Sequence, residues 1–216
     1  MRSEYGEVIT PVEFIPAAER MGLIHGIDLW VVESAIDYLA ALPIESAHIS
    51  LAINLSSVAF QDLSLLPTIK QKLEMTGVRA ERLTFEITET AAVENYKQTR
   101  SMINHIRALG CRFALDDFGA GFCSFNYLKT FPVDYVKIDG QFISNLVDDE
   151  TDQMLVRSMH QIANKMGKKT IAEFVESPEA IVLLRKIGVN FGQGYIFGKP
   201  NERLLEQNTF QIDGVL

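Results

Sequence analysis

Cysteine is scarce in this 216-residue chain, and its scarcity excludes two classes of protein. Cys111 and Cys123 are the two present, and their spacing fits neither a zinc site nor a dithiol redox motif. A disulfide framework is excluded with them. No apolar run approaches the roughly 18 residues that mark a membrane-spanning helix. The opening Met1-Arg2-Ser3-Glu4-Tyr5-Gly6-Glu7 has no apolar signal-peptide core. Basic excess is also missing. Twenty Lys+Arg stand against 28 Asp+Glu, a net charge of −8, whereas a general DNA or RNA binder needs a basic face. The histidines His25, His48, His105 and His160 are scattered without ligand spacing, which reads as structural or exposed. No linker-like stretch divides the chain. What is present, 47 % hydrophobic and 22 % charged residues, is globular composition. The expectation is one domain over residues 1–216, cytoplasmic, with no membrane segment.

Short β-branched runs alternate with longer stretches of helical period. Strands are expected at His48–Asn54, Leu83–Thr88, Arg112–Asp117, Asp134–Asp139, Lys169–Val175 and Asn190–Ile196. Helices are expected near Val12–Met21, Ile27–Leu42, Leu65–Glu74, Asn95–Leu109, Thr151–Met166 and Pro178–Ile187. Gly77, Gly110, Gly167 and Gly188 each lie just past one of them, where a left-handed residue ends a helix. Such alternation means right-handed βαβ units and a parallel sheet. An open doubly wound sheet and a (β/α)₈ barrel both satisfy it. A barrel gathers functional residues from the C-terminal ends of many strands. Here the strand ends carry Asn54, Glu86, Asp116 with Asp117, Lys137 with Asp139, Glu173 and Gln193. That pattern favours an α/β TIM-type barrel with about six of its eight strands present.

A carboxylate at one strand end is often a helix cap. Six polar strand ends in a row are harder to explain that way. Glu86, Asp116, Asp117 and Glu173 would converge at one barrel mouth, and close carboxylates repel unless protons or cations intervene. Hard oxygen ligands suit Mg²⁺ or Mn²⁺. Asn54 adds a neutral carbonyl oxygen, and adjacent Asp116 and Asp117 suit two ions with one carboxylate bridging. Two metals about 4 Å apart serve in-line attack on phosphate esters. Lys137 is the lone cation of the set. It either balances the carboxylates or orients the attacking water. Gly119 and Gly121 permit close approach of backbone to a ligand. Cys123 lies in that loop with no histidine beside it in sequence, against a thiol nucleophile.

These residues resemble the EAL-domain family of bacterial cyclic-di-GMP phosphodiesterases. The resemblance is carried by Pro11-Val12-Glu13-Phe14-Ile15-Pro16, Asn54-Leu55-Ser56, Glu86-Ile87-Thr88-Glu89, Asp116-Asp117-Phe118-Gly119, Val136-Lys137-Ile138-Asp139, Ala172-Glu173-Phe174-Val175-Glu176 and Gly192-Gln193-Gly194-Tyr195. It implies metal ligands at Asn54, Glu86, Asp116 and Asp117, and water positioning or activation by Lys137 and Glu173. It implies substrate binding by Gln193, with Glu89 bracing the loop after Asp117 and Asp139 and Glu176 in supporting places. The implied reaction is two-metal hydrolysis of cyclic di-GMP to linear pGpG. No Glu-Ala-Leu triplet precedes Pro11, so the resemblance implies a barrel short of its first two strands and of one metal-ligand glutamate. Further departures are Ala120 for threonine, Phe122 and Cys123 in the same loop, and Phe174 where the family usually has glycine.

Three functions follow as expectations: a phosphodiesterase impaired in this chain, a non-catalytic cyclic-di-GMP receptor, and a regulatory interaction module. Unpaired edges at His48–Asn54 and Asn190–Ile196 are expected to drive self-association, with an isologous homodimer as the simplest closure. The resemblance also leaves room for a GGDEF or sensory domain upstream.

Overall fold

The computed structural model describes residues 4–120 and 125–201. Its elements run α1 (Pro11–Arg20), α2 (Ile24–Ala41), β1 (Leu51–Asn54), α3 (Leu65–Thr76), β2 (Leu83–Thr88), α4 (Glu89–Glu94), α5 (Tyr96–Ala108), β3 (Arg112–Phe118), α6 (Phe125–Thr130), β4 (Tyr135–Ile138), α7 (Glu150–Lys165), β5 (Lys169–Ala172), α8 (Pro178–Ile187) and β6 (Phe191–Gly192). They fall into two units. One takes residues 1–87 and 94–112, the other residues 88–93 and 113–216.

In the first unit, Pro11 opens α1, and the Glu13 carboxylate accepts the Thr10 N–H and hydroxyl, both at 2.8 Å. α2 buries Val32, Ile36 and Leu39 at helical spacing. β1 and β2 pair in parallel, from Leu51 opposite Leu83 to Asn54 opposite Glu86. Phe60, Leu65, Ile69, Phe85, Ile103 and Ile106 fill the core around them. Arg82, just before β2, donates to the carbonyls of Ile49 at 2.7 Å and Ser46 at 3.1 Å. It thereby fixes the turn that leads into β1. Asp28 on α2 is buried and accepts from the Ser56 N–H at 3.2 Å and hydroxyl at 2.5 Å. That contact holds the segment just past Asn54.

The second unit carries β3, β4, β5 and β6 side by side in sequence order, all parallel. Val136, Ile138 and Ala172 are fully buried, as expected of a parallel sheet covered on both faces. Side-chain caps start the covering helices. Asp149 accepts from Thr151 N at 2.7 Å at the head of α7, and Ser177 accepts from Ala180 N at 3.2 Å at the head of α8. Lys168, before β5, donates to the Phe131 carbonyl at 2.8 Å and the Val133 carbonyl at 3.0 Å.

The alternation of strands and helices stands as the sequence implied, and the glycine stops hold, with Gly77 at φ 69 and Gly188 at φ 101. Four strands are shorter than the runs expected for them, β4 only by Asp134 and Asp139 at its two ends. β1 starts at Leu51 because the Ile49 N–H is taken by Ser46 O at 3.0 Å in the preceding turn. β5 stops at Ala172 because the backbone turns left-handed at Phe174, φ 53. β6 stops at Gly192 because Gly194 lies against the Val175 backbone so closely that a Cβ there would collide with it. The short helices α4 and α6 have no counterpart among the helices expected from periodicity. No described helix is long and apolar enough to cross a membrane.

Candidate functional site

At the end of β3 the backbone turns left-handed. Alternation along the strand turns Asp116 inward and leaves Asp117 exposed. Asp117 then adopts φ 55, a left-handed conformation that Asp tolerates better than most residues. Its N–H donates to Asp116 Oδ1 at 3.1 Å. Glu89, at the start of α4, is buried, and its Oε2 accepts the Gly119 N–H at 3.2 Å. The glutamate therefore grips the turn just past Asp117. Glu89 Oε1 has no hydrogen-bond partner among the described residues. Burial pushes the Glu89 carboxyl above its usual range; the Gly119 N–H opposes the rise and the Asp117 charge adds to it.

Lys137 comes from the middle of the sheet and is 2 % exposed. Its Nζ lies 3.0 Å from Asp116 Oδ1 and 2.9 Å from Glu173 Oε1, joining β3 to the residue just past β5. Burial raises the Glu173 carboxyl, the Lys137 hydrogen bond opposes that rise, and the neighbouring Asp116 reinforces it. Asp117 is raised as well, by burial first and then by the charges of Asp116 and Asp139. One ligand oxygen each from Asp116, Asp117 and Glu173 lies within 4.8 Å of the others. An all-oxygen, multiply anionic set of this kind fits a hard divalent cation.

The remaining sequence candidates divide. Asp139 is half-buried and ties down its own loop, its Oδ1 accepting the Gln141 N–H at 2.7 Å. Gln193 and Glu176 line an open cleft together with Glu173, Phe174, Gly194 and Tyr195. Asn54 and Glu86 stand opposite one another at the C-terminal ends of β1 and β2 in the first unit, with Glu86 buried. Gly121, Phe122 and Cys123 lie outside the described residues. Cys111 is buried, which pushes its thiol up to about 12 and leaves it unreactive at neutral pH. Asp28 and its hold on Ser56 are not among the residues that the sequence singles out. A carboxylate in the apolar pattern of α2 is the one signal for it.

The family model described as EAL domain matches residues 1–200, and the chain belongs to that family. It is 40 % identical over 195 residues to the cyclic di-GMP phosphodiesterase PdeB of Shewanella oneidensis, covering 90 % of this chain and 23 % of PdeB. It is 36 % identical over 200 residues to the cyclic di-GMP phosphodiesterase PdeF of Escherichia coli, covering 93 % of this chain and 27 % of PdeF. The chain thus spans about a quarter of the length of these curated relatives. Among solved structures, the FimX EAL domain from Pseudomonas aeruginosa bound to c-di-GMP is 31 % identical with a TM-score of 0.86, over 93 % of this chain and 80 % of that one. PaMucR phosphodiesterase in its c-di-GMP complex is 30 % identical with a TM-score of 0.84, over 92 % of this chain and 81 % of that one. The fold is therefore the TIM-type barrel of EAL domains, represented here by six parallel strands.

Proposed function

We propose that the chain is one EAL-like domain that binds cyclic di-GMP and hydrolyses it to linear pGpG. The observation that carries this reading is the Lys137 ammonium shared between Asp116 and Glu173, with Asp117 alongside. A divalent cation such as Mg²⁺ or Mn²⁺, held by Asp116 and Asp117, would acidify a bound water and offset the charge of the phosphodiester.

The chain's own groups supply the rest. Glu173, raised by burial, is suited to take a proton from the attacking water. Lys137 fixes the Glu173 carboxylate and presents N–H donors where negative charge grows on the ester oxygens. The water oxygen bonds to phosphorus, the bond to one ribose oxygen breaks, and that oxygen leaves with a proton from solvent. Glu89 holds the turn after Asp117 and so fixes the direction of its carboxylate. Gln193 holds the nucleotide at the cleft, and Asp139 and Glu176 support the surrounding loops.

A receptor that binds without hydrolysis is the second reading. It draws on the likeness to the FimX EAL domain, which is bound to c-di-GMP, and one experiment separates the two. Cyclic di-GMP is titrated calorimetrically with Mg²⁺ or Mn²⁺ present, and the mixture is then chromatographed for pGpG. Binding with metal-dependent pGpG formation is expected. Binding without pGpG selects the receptor. No binding under either metal overturns both.

A further inference from the structure

Phe174 is anomalous on three counts. Its backbone sits at φ 53, a region in which a bulky side chain is strained. Strain of that kind persists only where the surroundings fix it, and here they do. The Glu173 N–H donates to Ile138 O at 3.2 Å on one side, and the Val175 N–H donates to Gln193 O at 3.0 Å on the other. Core packing does not account for the side chain, because Phe174 is 61 % exposed. Its inner edge rests on Gly140, where an added methyl would run into the ring. The chain therefore keeps a strained aromatic, seats it on a glycine, and leaves much of it in water.

The exposed ring faces an open cleft that it lines together with Glu173, Glu176, Gln193 and Tyr195. Tyr195, 58 % exposed, lines the same cleft, and Lys199 Nζ covers one side of its ring at 5.5 Å from the centroid. Glu173 forms another wall, so the cleft adjoins the lysine–carboxylate cluster. Aromatic faces beside a phosphodiester-cleaving cluster fit the flat base of a nucleotide, since every base offers a π-face for stacking.

We propose that Phe174 is the stacking platform for a purine base of the bound nucleotide, an assignment that rests on the functional reading above. Stacking gains affinity and outweighs the backbone strain that the residue imposes. The test compares Phe174→Ala, Phe174→Gly and Phe174→Tyr with the parent chain, by calorimetry with cyclic di-GMP and by thermal melting. The Ala and Gly variants should both bind about 5–150-fold more weakly, the fold-change equivalent of losing one base–aromatic stack. The Tyr variant should bind like the parent. Only glycine relieves the left-handed strain, so the Gly variant should melt above the Ala variant by roughly 2–8 °C. Gly140→Ala should weaken binding in the parent, by pushing the ring aside, and do nothing further in the Phe174→Gly background.

Parent-like affinity in the Ala and Gly variants overturns the platform while leaving the cyclic-di-GMP reading intact. If the parent ignores cyclic di-GMP but binds guanosine monophosphate in a Phe174-dependent way by ligand-observed NMR, the platform stands and that reading falls. Failure to bind either nucleotide overturns both.

Discussion

Lys168 and Lys137 belong to the same unit and are both buried, at 9 % and 2 % exposure, yet their ammonium groups meet different kinds of oxygen. Lys168, where the chain enters β5, donates to two backbone carbonyls, Phe131 O and Val133 O. Lys137, near the end of β4, meets two carboxylates, Asp116 and Glu173. Carbonyls satisfy a cation but carry no net charge and no transferable proton. Carboxylates are anions that can take up a proton or bind a metal ion. The acceptor thus separates a cation that holds the chain together from one that the proposed function sets beside the reacting groups. Arg82 repeats the structural pattern in the first unit, on the carbonyls of Ile49 and Ser46.

The sharpest way to break this contrast is to remove the carboxylate that Lys137 shares with the proposed metal site. Asp116→Asn should abolish pGpG formation. It should also weaken Mn²⁺ binding by on the order of 100-fold or more, at or beyond the upper end of what supporting groups contribute. The fold should survive by circular dichroism. Metal-dependent turnover retained in this variant would remove Asp116 from the site. Next in size is Lys137→Ala, with kcat expected to fall on the order of 10²–10⁴-fold and KM to stay within a few-fold. An unchanged kcat with a lower melting temperature would make Lys137 a second Lys168.

Lys168→Met is the complementary variant. It strips two buried carbonyls of a charged donor, so stability should drop by about 2–4 kcal/mol, or roughly 4–15 °C in melting temperature. Cyclic-di-GMP affinity per folded molecule should not change, and an equilibrium titration below the transition checks this. A fall in affinity without a fall in stability would erase the distinction between the two lysines.

Only one of these lysines was legible in the sequence. Lys137 stood at a strand end among other polar strand ends, and the parallel architecture made that position meaningful. Lys168 and Arg82 sit outside the strands, and the carbonyls they hold come from chain far away in sequence. Local pattern carries no trace of such contacts. Secondary structure followed the same division. Helix stops at Gly77 and Gly188 are local chemistry and could be read directly. The shortening of β5 and β6 depends on the left-handed turn at Phe174 and the approach of Gly194 to Val175, which are tertiary facts. Phe174 marks the limit most clearly. Its departure from the family's glycine was visible, but the strain and exposure that give it meaning needed the fold.

The smallest expected effect concerns His160, in the same unit as the two lysines. The Thr170 hydroxyl donates to Asn190 Oδ1 at 3.3 Å. The same hydroxyl shares a hydrogen bond with His160 Nδ1, 2.8 Å away. The other ring nitrogen, Nε2, is directed at Gly188, where a Cβ would come within 3.1 Å of it. Burial accordingly holds the His160 pKa below its usual 6.5. Between that lowered value and about 6.5 the unfolded chain binds more protons than the folded one, so this residue makes stability rise with pH across the window. Asp28, Glu89, Asp117 and Glu173 act in the opposite sense. Their folded pKa values are raised, so the folded chain binds the extra protons and their contribution grows as pH falls. His160→Asn, which keeps a donor near the Nδ1 position without a titrating ring, removes the first effect and leaves the second. Melting temperatures of the two proteins from pH 8 to pH 5 should therefore diverge below about 6.5, with the parent falling relative to the variant. Parallel curves would mean that His160 is not held neutral by its surroundings.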